Sequence, residues 1–127
     1  MAGVTFDTGA LIAAERNDRR MWSLHAGFLA EEVAPVVPAP VLAEAWRGGP
    51  GQANLVRVLS MCNLEWMTET RLRKVGVLAG QSNHDDVVDV TVAEGAIRRG
   101  DAVVTSNREH IDKVGQAVGL TLCIEDV

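Results

Sequence analysis

The sequence predicts an α/β fold in three layers, a central and mostly parallel five-stranded sheet between two layers of helices. Short β-branched runs alternate with longer amphipathic stretches along the chain, and strands separated by helices pair in parallel through crossover connections. The apolar palette is aliphatic: hydrophobic residues make up 47% of the 127, aromatics only 4%, and Tyr is absent. Such a composition suits a sheet buried on both faces. No repeat, low-complexity tract or linker divides the chain, so a single domain over residues 1–127 is expected.

The elements follow in order. Val4 to Phe6 reads as a first strand, and Thr8 is placed to cap a helix over Ala10 to Arg16. Asp18 caps a second helix whose apolar face carries Trp22, Leu24, His25, Phe28 and Leu29. Val36 and Val37 form a second strand closed by Pro38, and Pro40 fits the first turn of a helix over Val41 to Trp46. Gly48-Gly49-Pro50-Gly51 stops that helix, and Gln52 to Met61 reads as the next. Leu64 to Met67 is a third strand, and Thr68 opens a helix through Leu72, Val75 and Leu78. Asp85 or Asp86 opens a sixth helix, which runs to Arg99 and is ended by Gly100. Ala102 to Thr105 is β-branched and extended. Asn107 caps a last helix to Val118, Gly119 ends it, and Leu120 to Ile124 is the final strand.

The formal net charge of -5 argues against a passive nucleic-acid binder, whose affinity rests on basic patches. It does not exclude an enzyme, because bound cations reverse the field of a carboxylate cluster. No apolar run reaches transmembrane length, and MAGVTFDTG lacks the basic-then-apolar order of a signal peptide, so a cytoplasmic location with no membrane contact is expected. Cys62 and Cys123 sit in apolar runs without CxxC spacing and read as buried, reduced thiols.

Four acids carry the chemistry. In parallel sheets the functional crevice lies beyond the carboxyl ends of the strands. Asp7 follows the first strand directly, and Glu44 lies in the otherwise apolar PAPVLAEAW after the second. Asp86 and Asp89 are three apart on one helix, and Asp89 stands among Val87, Val88, Val90 and Val92. Like charges at that spacing call for a cation. Thr8, Thr105, Ser106 and Asn107 add oxygens at the ends of the first and fourth strands, with helix capping as the competing use of Asn107. An oxygen-rich set without thiolates or a His pair favours Mg²⁺ or Mn²⁺ over Zn²⁺. His25, His84 and His110 are too scattered in sequence to suggest a zinc site.

The stretches VTFDTGALIA, VPAPVLAEAWRGG and DDVVDVTVAEGAIRRGDAVVTSNREHI resemble the PIN-domain ribonucleases, and in particular the VapC toxins of type II toxin–antitoxin pairs, in a branch common among mycobacteria and other actinobacteria. The resemblance spans nearly the whole chain. It implies a PIN-like α/β/α domain and Mg²⁺- or Mn²⁺-dependent endoribonuclease cleavage of RNA, tRNA or ribosomal RNA, by activated water. It assigns Asp7, Glu44, Asp89 and the additional Asp86 to catalysis, with Asp7 and Asp89 as metal ligands. It also implies a VapB-type antitoxin partner and a toxin homodimer within the complex. Leu11, Ile12, Trp22, Phe28 and Trp46 are candidates for the antitoxin groove, with core packing as their other use. For RNA phosphates the candidates are Arg16, Arg19, Arg20, Arg47, Arg98, Arg99 and Arg108, with Arg47 and Arg108 foremost. The chain departs from the pattern at Asn107, where the family often has Asp, and at His110, a later acidic position; one metal rather than two is therefore expected. The alternative is a catalytically weak or degenerate PIN domain acting as a binding or assembly module. A receiver-like phosphoacceptor domain fits poorly, since no Lys follows Leu122-Cys123-Ile124.

Overall fold

Five short runs pair in parallel: β1 (Val4–Phe6), β2 (Val36–Pro38), β3 (Asn63–Glu65), β4 (Ala102–Thr105) and β5 (Ile124–Asp126). Their spatial order is β3-β2-β1-β4-β5 in the computed structural model, which describes residues 3–127. The chain therefore steps outward from β1 to β2 and β3, then returns to the other side of β1 with β4. That reversal makes the carboxyl ends of β1 and β4 the topological switch point, where a crevice opens because the two flanking connections leave in opposite directions.

Among the described residues seven α-helices cover the sheet: α1 (Thr8–Glu15), α2 (Arg19–Ala30), α3 (Ala39–Ala45), α4 (Ala53–Leu59), α5 (Glu69–Ser82), α6 (Val87–Arg99) and α7 (Arg108–Gln116). The α/β architecture is the one the alternation of elements predicts. Strand pleating divides the faces. The Phe6 ring packs against His25 and Phe28 of α2, whereas the next side chain back, Thr5, meets Arg99 of α6. One core joins Phe6, Leu11, Met21, Val37, Val41, Leu55 and Val103, and a smaller one joins Val75, Leu78, Val90, Ala93 and Val114 between α5, α6 and α7.

Several ends differ from expectation, each for a local reason. Asp7, not Thr8, caps α1, accepting from the Ala10 N–H at 2.9 Å. Asp18, Thr68 and Asp86 cap α2, α5 and α6 as read. Asn107 occupies the cap position of α7 without a capping side-chain bond, and α7 stops at Gln116 instead of Val118. The last strand begins at Ile124, because pairing with β4 runs from Val103↔Ile124 to Thr105↔Asp126. β3 likewise sits earlier, at Asn63–Glu65. Cys62 is half-buried, with its thiol pushed up to about 12 by desolvation. Cys123 is exposed, contrary to its apolar neighbourhood. No helix among the described residues is long and apolar enough to cross a membrane.

On the α6 face, Arg99 reaches three partners: Asp101 (Nε to Oδ2, 2.8 Å), Glu65 (Nη1 to Oε2, 2.5 Å) and the Thr5 hydroxyl (2.8 Å). Gly95 leaves the space into which this guanidinium folds, since a Cβ there would lie 2.8 Å from Nη2. Arg98 bridges Glu65 and Glu94, and Arg71 joins Glu65 at 3.5 Å. Burial alone would raise the Glu65 carboxyl; its bonds to Arg98 and Arg99 outweigh that and hold it below the usual range.

His25 is 3% exposed, and neither ring nitrogen has a hydrogen-bond partner. Burial lowers its pKa from 6.5. The unfolded chain therefore takes up the proton first. The stabilising contribution of neutral His25 is complete above pH 6.5 and is lost as pH falls below it. His25→Phe, which fills the site between Phe6 and Trp22 with an apolar ring, is expected to raise the urea midpoint and to flatten its decline between pH 7 and pH 5. An unchanged decline would place the acid sensitivity elsewhere.

Candidate active site

Asp7 stands where β1 ends. Its backbone N–H donates to the Val104 carbonyl at 3.2 Å, which fixes the residue at the switch point. Its side chain is 4% exposed. Capping of α1 explains one oxygen. Thr105, at the end of β4 and fully buried, supports the carboxylate from the neighbouring strand. The Asn107 N–H donates to the Thr105 hydroxyl oxygen at 2.8 Å. Burial pushes the Asp7 carboxyl up from 3.8 to about 6; bonds from Thr105 and Ala10 oppose the rise, the Asp89 charge adds to it, and the Gly9 N–H opposes it. Asp7 is thus a buried acid with a like charge nearby, and no Lys or Arg hydrogen-bonds it among the described residues.

Gly9 allows α1 and the loop after β4 to meet. A Cβ at this position would collide with Ser106 Oγ and approach the Ser106 backbone nitrogen to 3.1 Å. Ser106 is exposed at that junction. Released from capping, the Thr8 hydroxyl donates to Glu44 Oε1 at 2.5 Å, tying α3 to α1 beside Asp7. Glu44 is exposed. Asp86 is also exposed, and its Oδ1 accepts from the N–H groups of Val88 (2.9 Å) and Asp89 (3.3 Å). It opens α6 and so orients Asp89, which lies in the first turn.

Asp89 has two partners that sequence spacing hides. Its Oδ2 lies 3.0 Å from His84 Nε2 and 3.0 Å from His110 Nδ1. The two rings meet edge-on with centroids 4.9 Å apart. Among the described residues, His84, Asp89 and His110 form the only trio of metal-ligating side chains whose donor atoms all lie within 4.8 Å of one another. No three of Asp7, Glu44, Asp86 and Asp89 come that close. The histidines are therefore not scattered in space: parallel topology brings the loop before α6 and the first turn of α7 to the same edge of the sheet. Asn107 joins them, with Nδ2 2.9 Å from His110 Nδ1.

The arginines separate into tied and untied groups. Arg108 forms a two-pronged pair with Asp126 (3.0 and 2.8 Å), and Arg20 pairs with Glu125 at 3.3 Å. Arg98 and Arg99 belong to the Glu65 network. Arg16, Arg19 and Arg47 make no ion pair among the described residues. The guanidinium of Arg47 donates to the Trp46 carbonyl at 2.8 Å. Two clefts of about 400 and 460 Å³ share Ile12 and Arg16: one is bounded by Glu44 and Arg47, the other by Gly9 and Ser106. Of the apolar residues read as a docking groove, Leu11 is wholly buried, Trp22 and Phe28 pack on the core, and Trp46 is 44% exposed.

No protein-family model matches the sequence, and no curated protein does. Solved structures do share the fold. The chain superposes on the VapBC2 structure of Rickettsia felis, solved with a promoter DNA fragment, with a TM-score of 0.74 at 17% identity, covering 98% of each chain. VapC20 of Mycobacterium tuberculosis, a toxin that cleaves the sarcin–ricin loop, gives 0.64 at 14% identity over 94% of this chain and 97% of that one. PAE2754 of Pyrobaculum aerophilum gives 0.62 at 22% identity over 88% and 86%. The chain has the PIN-like fold of VapC toxins.

Proposed function

We propose that this protein is a metal-dependent endoribonuclease, the toxin of a type II toxin–antitoxin pair. The observation that carries the reading is Asp7: a buried carboxylate without a cationic partner among the described residues, beside Asp89, at the switch point of a VapC-like fold. Such a donor set fits a divalent cation, Mg²⁺ or Mn²⁺, held by Asp7 and Asp89 with Glu44 acting through water. A bound cation would supply charge neutralisation at a phosphodiester and a more acidic water.

The chain's own residues do the rest. Thr105 and the α1 N-terminus fix one Asp7 rotamer. The Thr8–Glu44 bond presents a second carboxylate at the rim, where it can take a proton from water. Asp86 sets the start of α6 and with it the direction of Asp89. Arg16 and Arg47 offer cations to the RNA backbone along the paired clefts, and Arg108 joins them when an RNA phosphate displaces Asp126. The RNA substrate is proposed by analogy with VapC20, and a VapB-type antitoxin and toxin homodimer by analogy with VapBC complexes.

The test is direct. The purified protein is expected to cut an RNA pool at discrete sites with Mg²⁺ or Mn²⁺ and to stop on chelation, while Asp7→Asn purified in parallel is silent. Absence of cleavage under all these conditions would favour the degenerate binding module, for which the Asn107 position speaks.

A further inference from the structure

Three donor atoms from three segments converge on one point beside α6. His84 comes from the loop after α5, Asp89 from the first turn of α6 and His110 from the first turn of α7. We propose that His84, Asp89 and His110 bind a borderline divalent transition ion of the Zn²⁺ and Co²⁺ class. The site shares Asp89 with the ribonuclease reading, goes beyond it and does not need it to hold.

The geometry suits a small ion. Bonds of about 2.0–2.1 Å in a tetrahedron set ligand atoms about 3.3 Å apart. The two nitrogen-to-oxygen separations here are each 3.0 Å, so a slight opening admits the ion. Two imidazoles and one carboxylate are borderline donors that rank Zn²⁺ and Co²⁺ above Mg²⁺.

With the Asn107 amide nitrogen turned towards it, hydrogen bonding alone leaves His110 Nδ1 in conflict. It faces the Asp89 carboxylate, which only accepts, and the Asn107 amide nitrogen, which only donates. A ring N–H satisfies Asp89 and opposes Asn107; a bare lone pair does the reverse. An ion resolves the contact with Asp89, because a lone pair and a carboxylate oxygen then point at the same charge. Turning the Asn107 amide by 180° would add its carbonyl oxygen to the set.

The site is also held in place. The His84 N–H donates to the Ala79 carbonyl at 3.2 Å, and Lys113 Nζ donates to the adjacent Asn83 carbonyl at 2.9 Å. His84 and Asp89 are largely shielded, with side chains 9% and 14% exposed. His110 is 45% exposed, so one side remains open to water or another ligand.

The experiment uses the full chain, stripped with chelator and titrated with Co²⁺ while visible ligand-field absorption is followed. One equivalent is expected to give the strong bands of four- or five-coordinate Co²⁺. Zn²⁺ should displace it and excess Mg²⁺ should not. His84→Gln and His110→Gln should each weaken binding by more than the roughly 10–100-fold that loss of an outer-shell partner costs. His110 is exposed enough that its variant tests the site without disturbing the core. Asp7→Asn should retain the absorption even where it abolishes RNA cleavage. No absorption, absorption unchanged in both His variants, or its loss in Asp7→Asn would overturn the proposal.

Discussion

Asp7→Asn is expected to abolish RNA cleavage and, in the metal-free protein, to increase stability. Loss of the carboxylate removes the charge that would hold the cation, and a cut of at least about 10²–10³-fold is expected from losing one such electrostatic element. Stability moves the other way. The shift of Asp7 from 3.8 to about 6 means that keeping it ionised in the folded state costs about 3 kcal/mol. That cost is complete above pH 6 and disappears as pH falls towards 3.8, where both folded and unfolded chains bind the proton. Asn removes the charge yet still offers an oxygen to the Ala10 N–H, so the cap survives. In chelator, the variant should therefore unfold later than wild type at pH 7.5, with the difference vanishing near pH 4. Denaturant titrations across that range measure it. A variant less stable at pH 7.5 would show that the carboxylate is not under strain. The opposite sign at His25 makes the pH dependence of the two sites separable by the pair of variants.

Arg99→Leu is expected to cost about 3 kcal/mol of folding stability, a large share of the 5–15 kcal/mol available to a domain. Glu65 keeps Arg71 and Arg98 when Arg99 is lost, but Asp101, only 6% exposed, keeps no cation among the described residues. Its stranded charge is the main source of the loss. Arg99→Lys should recover little, because one ammonium cannot meet Asp101, Glu65 and Thr5 from the same position. Adding Asp101→Asn to Arg99→Leu should restore part of the stability. The exposed pair Arg73–Glu69, at 2.9 Å, is the control: its loss should change stability by no more than about 0.5 kcal/mol. Equal effects at Arg73 and Arg99 in urea unfolding would dismiss the network as a source of stability.

Strand alternation and cap residues made most of the architecture legible. The β1–α1 junction, Asp18, Thr68 and Gly100 all act locally, so the sequence near each suffices to place it. Thr8 was misread because two neighbours can cap the same helix, and only the fold shows that Glu44 claims the Thr8 hydroxyl. The end of the chain misled for a similar reason: Leu120 to Cys123 is as apolar as a strand, but register with Val103 begins at Ile124. At the site, Asp7 was readable because its position depends on one strand end. The meeting of His84 and His110 at Asp89 depends on how α5, α6 and α7 pack, with Asp89 and His110 21 positions apart. No local pattern encodes that distance. The Glu65 network was hidden likewise, Arg98 and Arg99 reading as candidates for RNA phosphates.

The two outer strands carry one more consequence. β3 and β5 have three residues each, and both bear acids: Glu65 on one, Glu125 and Asp126 on the other. Arg20 and Arg108 lie across the second, Arg20 donating to the Asp126 carbonyl at 2.6 Å and Arg108 to the Ile124 carbonyl at 3.2 Å. Backbone acceptors that an incoming chain would need are thus already occupied, and short charged borders discourage edge-to-edge aggregation. The β5 edge is poorly suited to growth by strand addition, which leaves β3 and the helical faces for association with another protein.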